Sequence, residues 1–306
     1  MTWIKQGRIF HLENAPNRSN YAQVPTPYVM EDRIRIYYAC RNNGKAFVAY
    51  FDLAKDLKTI LKVHESPIFT HGEPGMFDAD GVMPSCILPM GDELWLYYIG
   101  WNELKNTARY QNEIGIAVSK DNGETFQRMF EGPVMGRSPT EPGLAVMPFV
   151  MKDGNLFKMW YQSGTGWYFV DGKYEPTYVI KYANSHDGIR WNRSSEQCIE
   201  SRYPMEAFSR PWVARINGFD CMLYCVRGSA DYRGGDGGYR IECADAFDKI
   251  NFMRNVDTPK LYKGEEGEFD SQMQCYPSTC EVDDKLVMFY NGNDFGQTGI
   301  GGAIWQ

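Results

Sequence analysis

The chain has 306 residues, a net charge of −7, and 15% aromatic and 23% charged residues. An acidic balance spread along the sequence excludes a nucleic-acid groove and an anionic-membrane surface, and no stretch approaches the roughly 20 apolar residues that span a bilayer. Eight cysteines without a CxxC pair and four scattered histidines (His11, His64, His71, His186) give neither a disulfide framework nor metal-ligand spacing. With no basic-then-apolar leader at the N-terminus, they predict a cytoplasmic protein with reduced thiols.

In chain order, the first element is a strand at Trp3-Ile4-Lys5-Gln6-Gly7-Arg8-Ile9-Phe10. A unit then recurs five times. Each opens on a strand marked by a proline (Pro25, Pro84, Pro148, Pro211, Pro277), and turns at Glu31-Asp32, Gly91-Asp92, Lys152-Asp153-Gly154, Asn217-Gly218 or Asp283-Asp284. It continues into an aromatic and β-branched strand ending on Tyr38, Tyr98, Tyr161, Tyr224 or Tyr290, tyrosines that stand sixty to sixty-six residues apart. Third strands carry small residues, as in Ile114-Gly115-Ile116-Ala117 and Ile300-Gly301-Gly302-Ala303. Fourth strands start on an aromatic with a base two places on: Phe126-Gln127-Arg128, Trp191-Asn192-Arg193 and Phe252-Met253-Arg254. The turns Ser119 to Phe126 and Ser185 to Trp191 read as structural; the first resembles the Asp-box of sialidase-like propellers, whose carboxylate bonds to backbone amides of its own turn.

A small antiparallel sheet cannot bury both faces alone, and five around an axis bury one another. The predicted fold is all-β, a five-bladed β-propeller forming one domain over residues 1–306. Its last unit reaches Gln306 without a fourth strand, so the strand at Trp3 to Phe10 is predicted to dock beside Ile300 to Ile304 and close the ring. The run Gly234-Gly235-Asp236-Gly237-Gly238 lies between two strands, a hairpin tip and not a phosphate cradle, and no cofactor motif is present.

A polar ligand with apolar faces suits the surplus of aromatics at strand ends, among them Trp101, Trp160, Trp167 and Tyr276, because sugar rings stack on aromatics while their hydroxyls need convergent donors and acceptors. The mouth of a propeller channel is lined by residues before each first strand and after each second strand. The former are Asp78, Asp80, Glu141, Glu206, Arg210, Asp270 and Gln272; the latter are Arg41, Trp101, Gln162, Arg227, Asn291 and Asn293. Glycoside cleavage needs two carboxylates, one to protonate the leaving oxygen and one to activate water or attack the anomeric carbon. Asp80, with Glu206 or Asp270, is the predicted acid and base pair, and the others would hold a carbohydrate substrate. Two alternatives stay open: transfer or phosphorolysis, with Arg41, Lys181, Arg210 and Arg227 on phosphate, and sugar binding without turnover.

The whole chain resembles the five-bladed superfamily that includes glycoside hydrolase families 43 and 32 and the mannoside phosphorylases of family 130. The resemblance is carried by Asp80-Gly81-Val82-Met83-Pro84, Met147-Pro148 with Met159-Trp160-Tyr161, the Ser185 to Trp191 turn, Arg210-Pro211-Trp212, and Tyr276-Pro277 with Tyr290-Asn291-Gly292-Asn293. It is similar also to glycosidase-like proteins of bacterial surface-polysaccharide loci. The resemblance implies a propeller and a carbohydrate ligand. In families 43 and 32 the catalytic acids stand beside the first-strand proline; here those positions hold Val24, Met83, Met147, Arg210 and Tyr276, so the family triad does not transfer.

Overall fold

The computed structural model describes residues 2–306 apart from 12, 14–19, 105–107, 234–236, 249 and 255–259; the start of the glycine run, Gly234 to Asp236, therefore lies outside the described residues. After β1 (Trp3–Phe10), the first unit comprises β2 (Gln23–Val29), β3 (Ile34–Asn42), β4 (Lys45–Leu53) and β5 (Ile60–Val63), and the second β6 (Gly81–Met90), β7 (Glu93–Glu103), β8 (Tyr110–Ser119) and β9 (Gln127–Arg128). The third holds β10 (Ala145–Asp153), β11 (Leu156–Val170), β12 (Lys173–Ser185) and β13 (Asn192–Gln197), and the fourth β14 (Ala207–Ile216), β15 (Phe219–Arg227), β16 (Arg240–Ala246) and β17 (Phe252–Arg254). The fifth has β18 (Cys275–Val282), β19 (Lys285–Asn291) and β20 (Ile300–Trp305). Among the described residues no helix is long and apolar enough to cross a membrane.

Within every unit the strands pair antiparallel with their sequence neighbours, and one parallel pair, Ala46 with Gly81, joins units one and two. In the fifth sheet β1 supplies the outer strand, pairing with β20 from Trp3 opposite Trp305 to Phe10 opposite Ile300. The first strands touch in a closed cycle, β2 on β6, β6 on β10, β10 on β14, β14 on β18, and β18 on β2.

Each first strand is bulged at its proline, so the register slips there in all five units. The residue before the proline takes up the slip: Val24, Met147, Arg210 and Tyr276 sit at φ of 57°, 55°, 52° and 56°, a region that costs a non-glycine residue roughly 1–3 kcal/mol. Packing repays this, because Val24, Met83, Met147 and Tyr276 all join one buried cluster where the units meet. All eight cysteines are free thiols, seven of them buried.

The two Asp-box-like turns are self-bonded. Asp121 accepts from the Thr125 amide and hydroxyl, and Asp187 from the amides of Ile189 and Arg190. Each also receives a tyrosine of the preceding unit, Tyr37 on the Gly123 carbonyl and Tyr97 on that of Gly188.

Candidate functional site

Residues of every unit meet around one cleft of about 380 Å³. Unit one contributes Gln23 and Arg41, unit two Met83, Trp101 and Asn112, unit three Met147, Gln162 and Tyr178, unit four Ser209, Tyr232 and Tyr239, and unit five Tyr276 and Phe295. A larger groove of about 620 Å³ between Lys5 and Phe269 is lined by β1 and the segment before β18 alone. Convergence of all five units singles out the cleft.

Strand geometry explains most of its lining. The floor is Met83, Met147 and Tyr276, the side chains that the bulges turn toward the meeting point of the units. The walls come from the ends of second strands and the starts of third strands, which face each other in antiparallel register, as Trp101 faces Asn112. At Gly81 an added Cβ would collide with the Trp101 indole, so only glycine lets that ring lie at the rim. The Arg41 guanidinium stands 5.3 Å from the Trp101 ring centroid and 5.1 Å from that of Tyr21, and burial holds its pKa below the usual arginine value.

Unit three builds one wall higher than the rest, because β11 and β12 run to 15 and 13 residues. Glu175 ties this hairpin to its neighbours: it accepts from Arg233 at 2.7 and 3.0 Å, from Arg109 at 3.4 Å and from the Tyr232 hydroxyl at 2.5 Å. Burial alone would raise its pKa, but the bonds from Arg233 and Tyr232 and the arginine charges prevail and hold it below the ordinary value. The carboxylate is thereby kept ionised and the phenol protonated. Arg227 lies beneath, its guanidinium 3.8 Å from the Tyr232 ring centroid.

Several polar atoms of the lining have no hydrogen-bond partner within the described residues: Gln23 Oε1, Gln162 Oε1, Asn112 Oδ1 and Trp101 Nε1. Buried polar groups in native proteins are nearly always paired. These atoms border one cleft but are themselves closed to solvent, so a ligand gains them as partners only when their side chains turn toward it.

Of the residues to which the sequence assigns substrate contact, Arg41, Trp101, Gln162 and Tyr276 line this cleft. The acids do not. Asp78, Glu141 and Asp270 each accept from the tyrosine twenty residues on, Tyr98 at 3.0 Å, Tyr161 at 2.9 Å and Tyr290 at 2.9 Å. Each also pairs with a cation from the fourth strand of its own sheet, Arg128, Arg193 and Lys5 at 2.7, 2.8 and 2.7 Å. Glu206 takes Arg254 at 2.9 Å and Arg202 at 2.8 Å. These clasps fasten the loops before β6, β10, β14 and β18 to the sheets they precede. Asp80 stands apart at 33% exposure, bonded to Lys45 at 2.8 Å and to the Glu103 amide at 2.9 Å, contacts that lower its pKa.

The remaining assigned residues are placed as follows. Trp160 is buried against Phe149, Tyr182 and Phe252, and Trp167 packs edge-on to Tyr110. Asn291 serves backbone, binding the Val24 amide and the Ala22 and Gly299 carbonyls, while Asn293 takes the amides of Gln272 and Met273. The Gln272 carbonyl accepts from Arg240. Arg210 is fully buried, bonding to Ser85, Pro25 and Thr26 across the centre. Tyr161→Phe, which removes only a clasp hydroxyl, is expected to cost about 1.5–3 kcal/mol in urea unfolding while leaving the cleft intact; an unchanged midpoint would show the clasp to be idle.

No family profile matches the chain. The Mycobacterium tuberculosis protein "Uncharacterized protein Rv1502" (strain H37Rv) is 34% identical over 312 residues, covering 100% of both sequences, as is its counterpart MT1551 of strain CDC 1551. The chain belongs to the Rv1502 family. Among solved structures, one described as a glycoside hydrolase superposes with a TM-score of 0.76 at 15% identity, over 99% of this protein and 91% of that one. The Bombyx mori family 32 β-fructofuranosidase BmSUC1 gives 0.66 at 14%, over 97% and 61%. A structure described under family 130 mannoside phosphorylases and glycoside hydrolases that target β-1,2 mannosidic linkages in Candida mannan gives 0.67 at 14%, over 100% and 90%. The Rv1502-family chain thus has a glycosidase-like propeller fold.

Sequence reading missed Gln23, Asn112, Tyr178 and Tyr239 of this Rv1502-family cleft, and the loop residues Arg109, Tyr232, Arg233 and Phe295. Two of the first group, Asn112 and Tyr178, carried a usable signal. In a hairpin whose second strand exits at the rim, the third strand must start there, so Asn112, opposite Trp101, and Tyr178, opposite Gly164 just beyond Gln162, belong to the same walls.

Proposed function

We propose that this chain is a carbohydrate-active protein, one five-bladed propeller domain whose central cleft holds a glycan. The observation that carries this is the set of unpaired polar atoms of Gln23, Gln162, Asn112 and Trp101 among the rings of Trp101, Tyr178, Tyr239 and Tyr276. Hydroxyls would complete the former once those side chains turn into the cleft, and CH faces would cover the latter. The volume lies within the range of small-ligand sites, roughly 300–1,000 Å³. The fold shared with carbohydrate enzymes agrees with the reading. Its support for recognition is stronger than for two-carboxylate hydrolysis, because among the described residues Glu103 is the one carboxylate lining the cleft.

A second reading, cleavage, rests on a specific contact. Asp80 accepts the Glu103 amide, which sets the assigned acid directly behind the rim carboxylate. A panel of neutral and acidic oligosaccharides, screened for binding and for release of reducing ends, separates the two. Trp101→Ala is expected to weaken binding of any hit by roughly tenfold or more, the loss of one stacking face; undiminished affinity would exclude the cleft. If a bound glycan is also cleaved and Asp80→Asn lowers that rate on the order of a hundredfold, the hydrolase reading prevails.

A further inference from the structure

Within a chain of net charge −7, the cleft is a local reversal of sign. Arg41, Arg109 and Arg233 line it and Arg227 lies directly beneath, against Glu103 as the one lining carboxylate among the described residues, while the adjoining pocket shared by Arg109 and Arg233 adds Asp171, Glu175 and Asp231 with Lys173. Two further features sharpen the imbalance. Arg227 bonds only to neutral acceptors in the described structure, the Tyr239 hydroxyl, the Gly228 and Pro176 carbonyls and Ser229, although it is almost wholly buried. Arg210, under the floor, likewise meets carbonyls and hydroxyls, and burial pushes its pKa down to about 10. Buried cations without counter-charges are costly to keep, and both project positive potential into a pocket poorly screened by water.

We propose that the glycan taken by this cleft is anionic, carrying a carboxylate or phosphate group that docks on Arg41, Arg109 and Arg233. This rests on the carbohydrate reading of the same cleft and names the ligand class. The three guanidiniums come from different units, Arg41 from β3, Arg109 from the loop before β8 and Arg233 from the loop after β15, so an anion between them draws the walls together. Guanidinium groups present planar donor forks matched to both oxyanions. Glu175 occupies the Nε and Nη2 fork of Arg233 and bonds Nη1 of Arg109, so the anion would be met by Nη1 of Arg233, the remaining N–H groups of Arg109, and Arg41. The aromatic floor then has the sugar ring to hold while the arginines hold its charge.

The test is calorimetric titration with three ligands sharing one ring, glucose, glucuronate and glucose 6-phosphate, at low salt and in 0.5 M NaCl, on the native protein and on Arg41→Gln. At least one acidic ligand is expected to bind tenfold or more tightly than glucose at low salt, with the ratio of acidic to neutral affinity shrinking in high salt and in Arg41→Gln. Whether glucuronate or the phosphate gains more assigns the anion. Equal affinity for all three overturns the inference and leaves the carbohydrate reading standing; no binding of any of them, together with a blank neutral panel, removes both.

Discussion

Removal of residues 1–10 is expected to abolish the cooperative fold, not to trim a tail. β1 is the fourth strand of the fifth sheet, and without it β20 presents an open edge. Phe10 is fully buried, stacked on Phe51 of unit one at a centroid distance of 4.3 Å and packed near Tyr38, so the strand joins the last unit to the first. Lys5 is the cation of the Asp270 clasp, and its loss strands a carboxylate with no exposed surface. Phe10→Ala alone should cost about 3–5 kcal/mol, seen as a fall in melting temperature of roughly 5–8 °C. The truncated chain is expected to be insoluble or to lack a sharp melting transition; a truncated protein that melts cooperatively near the native temperature would falsify closure through β1.

What the sequence disclosed, and what it concealed, follows from the physics of repeats. Prolines, hairpin turns and strand-ending tyrosines recur because every sheet must satisfy the same packing and hydrogen-bonding demands, so their spacing exposed the units and the pairing of β1 with β20. The acids recur for the same reason. Asp78, Glu141 and Asp270 are each needed by a tyrosine twenty residues later, and that periodicity is structural. Recognition breaks the repeat. Arg41 and Trp101 occupy equivalent places, three residues after the tyrosine of their second strands, yet differ in chemistry, and Gln162 follows its own tyrosine directly, so position made them legible while their roles varied. Arg109 and Arg233 reach the cleft from loops whose paths no period encodes, and only the clamp on Glu175 reveals them.

Arg210→Lys is expected to destabilise the protein more than Arg210→Leu, an inversion of the usual conservative ranking. The bulges in β2 and β6 take Pro25 and Ser85 out of the ladder, and the Arg210 fork bonds to both of their carbonyls, at 3.3 and 2.6 Å, and to Thr26 and Ser85 hydroxyls at 3.3 and 2.9 Å. The lowered pKa of this buried group shows that its charge is a burden and that the fork supplies the stabilisation. Leucine loses the fork and the charge together; two orphaned carbonyls at about 1–3 kcal/mol each, offset in part by relief of the buried cation, give a loss of about 2–4 kcal/mol. Lysine keeps a cation but cannot span the acceptors, so roughly 1 kcal/mol more should be lost at neutral pH. A buried lysine has a folded pKa below its unfolded one, so the unfolded chain binds more protons between the two values, and stability of Arg210→Lys should climb as pH rises through that window. Urea midpoints of both variants at pH 7 and 9 decide the matter: a lysine variant more stable than the leucine variant, or flat with pH, would mean that charge and not fork geometry holds the centre together.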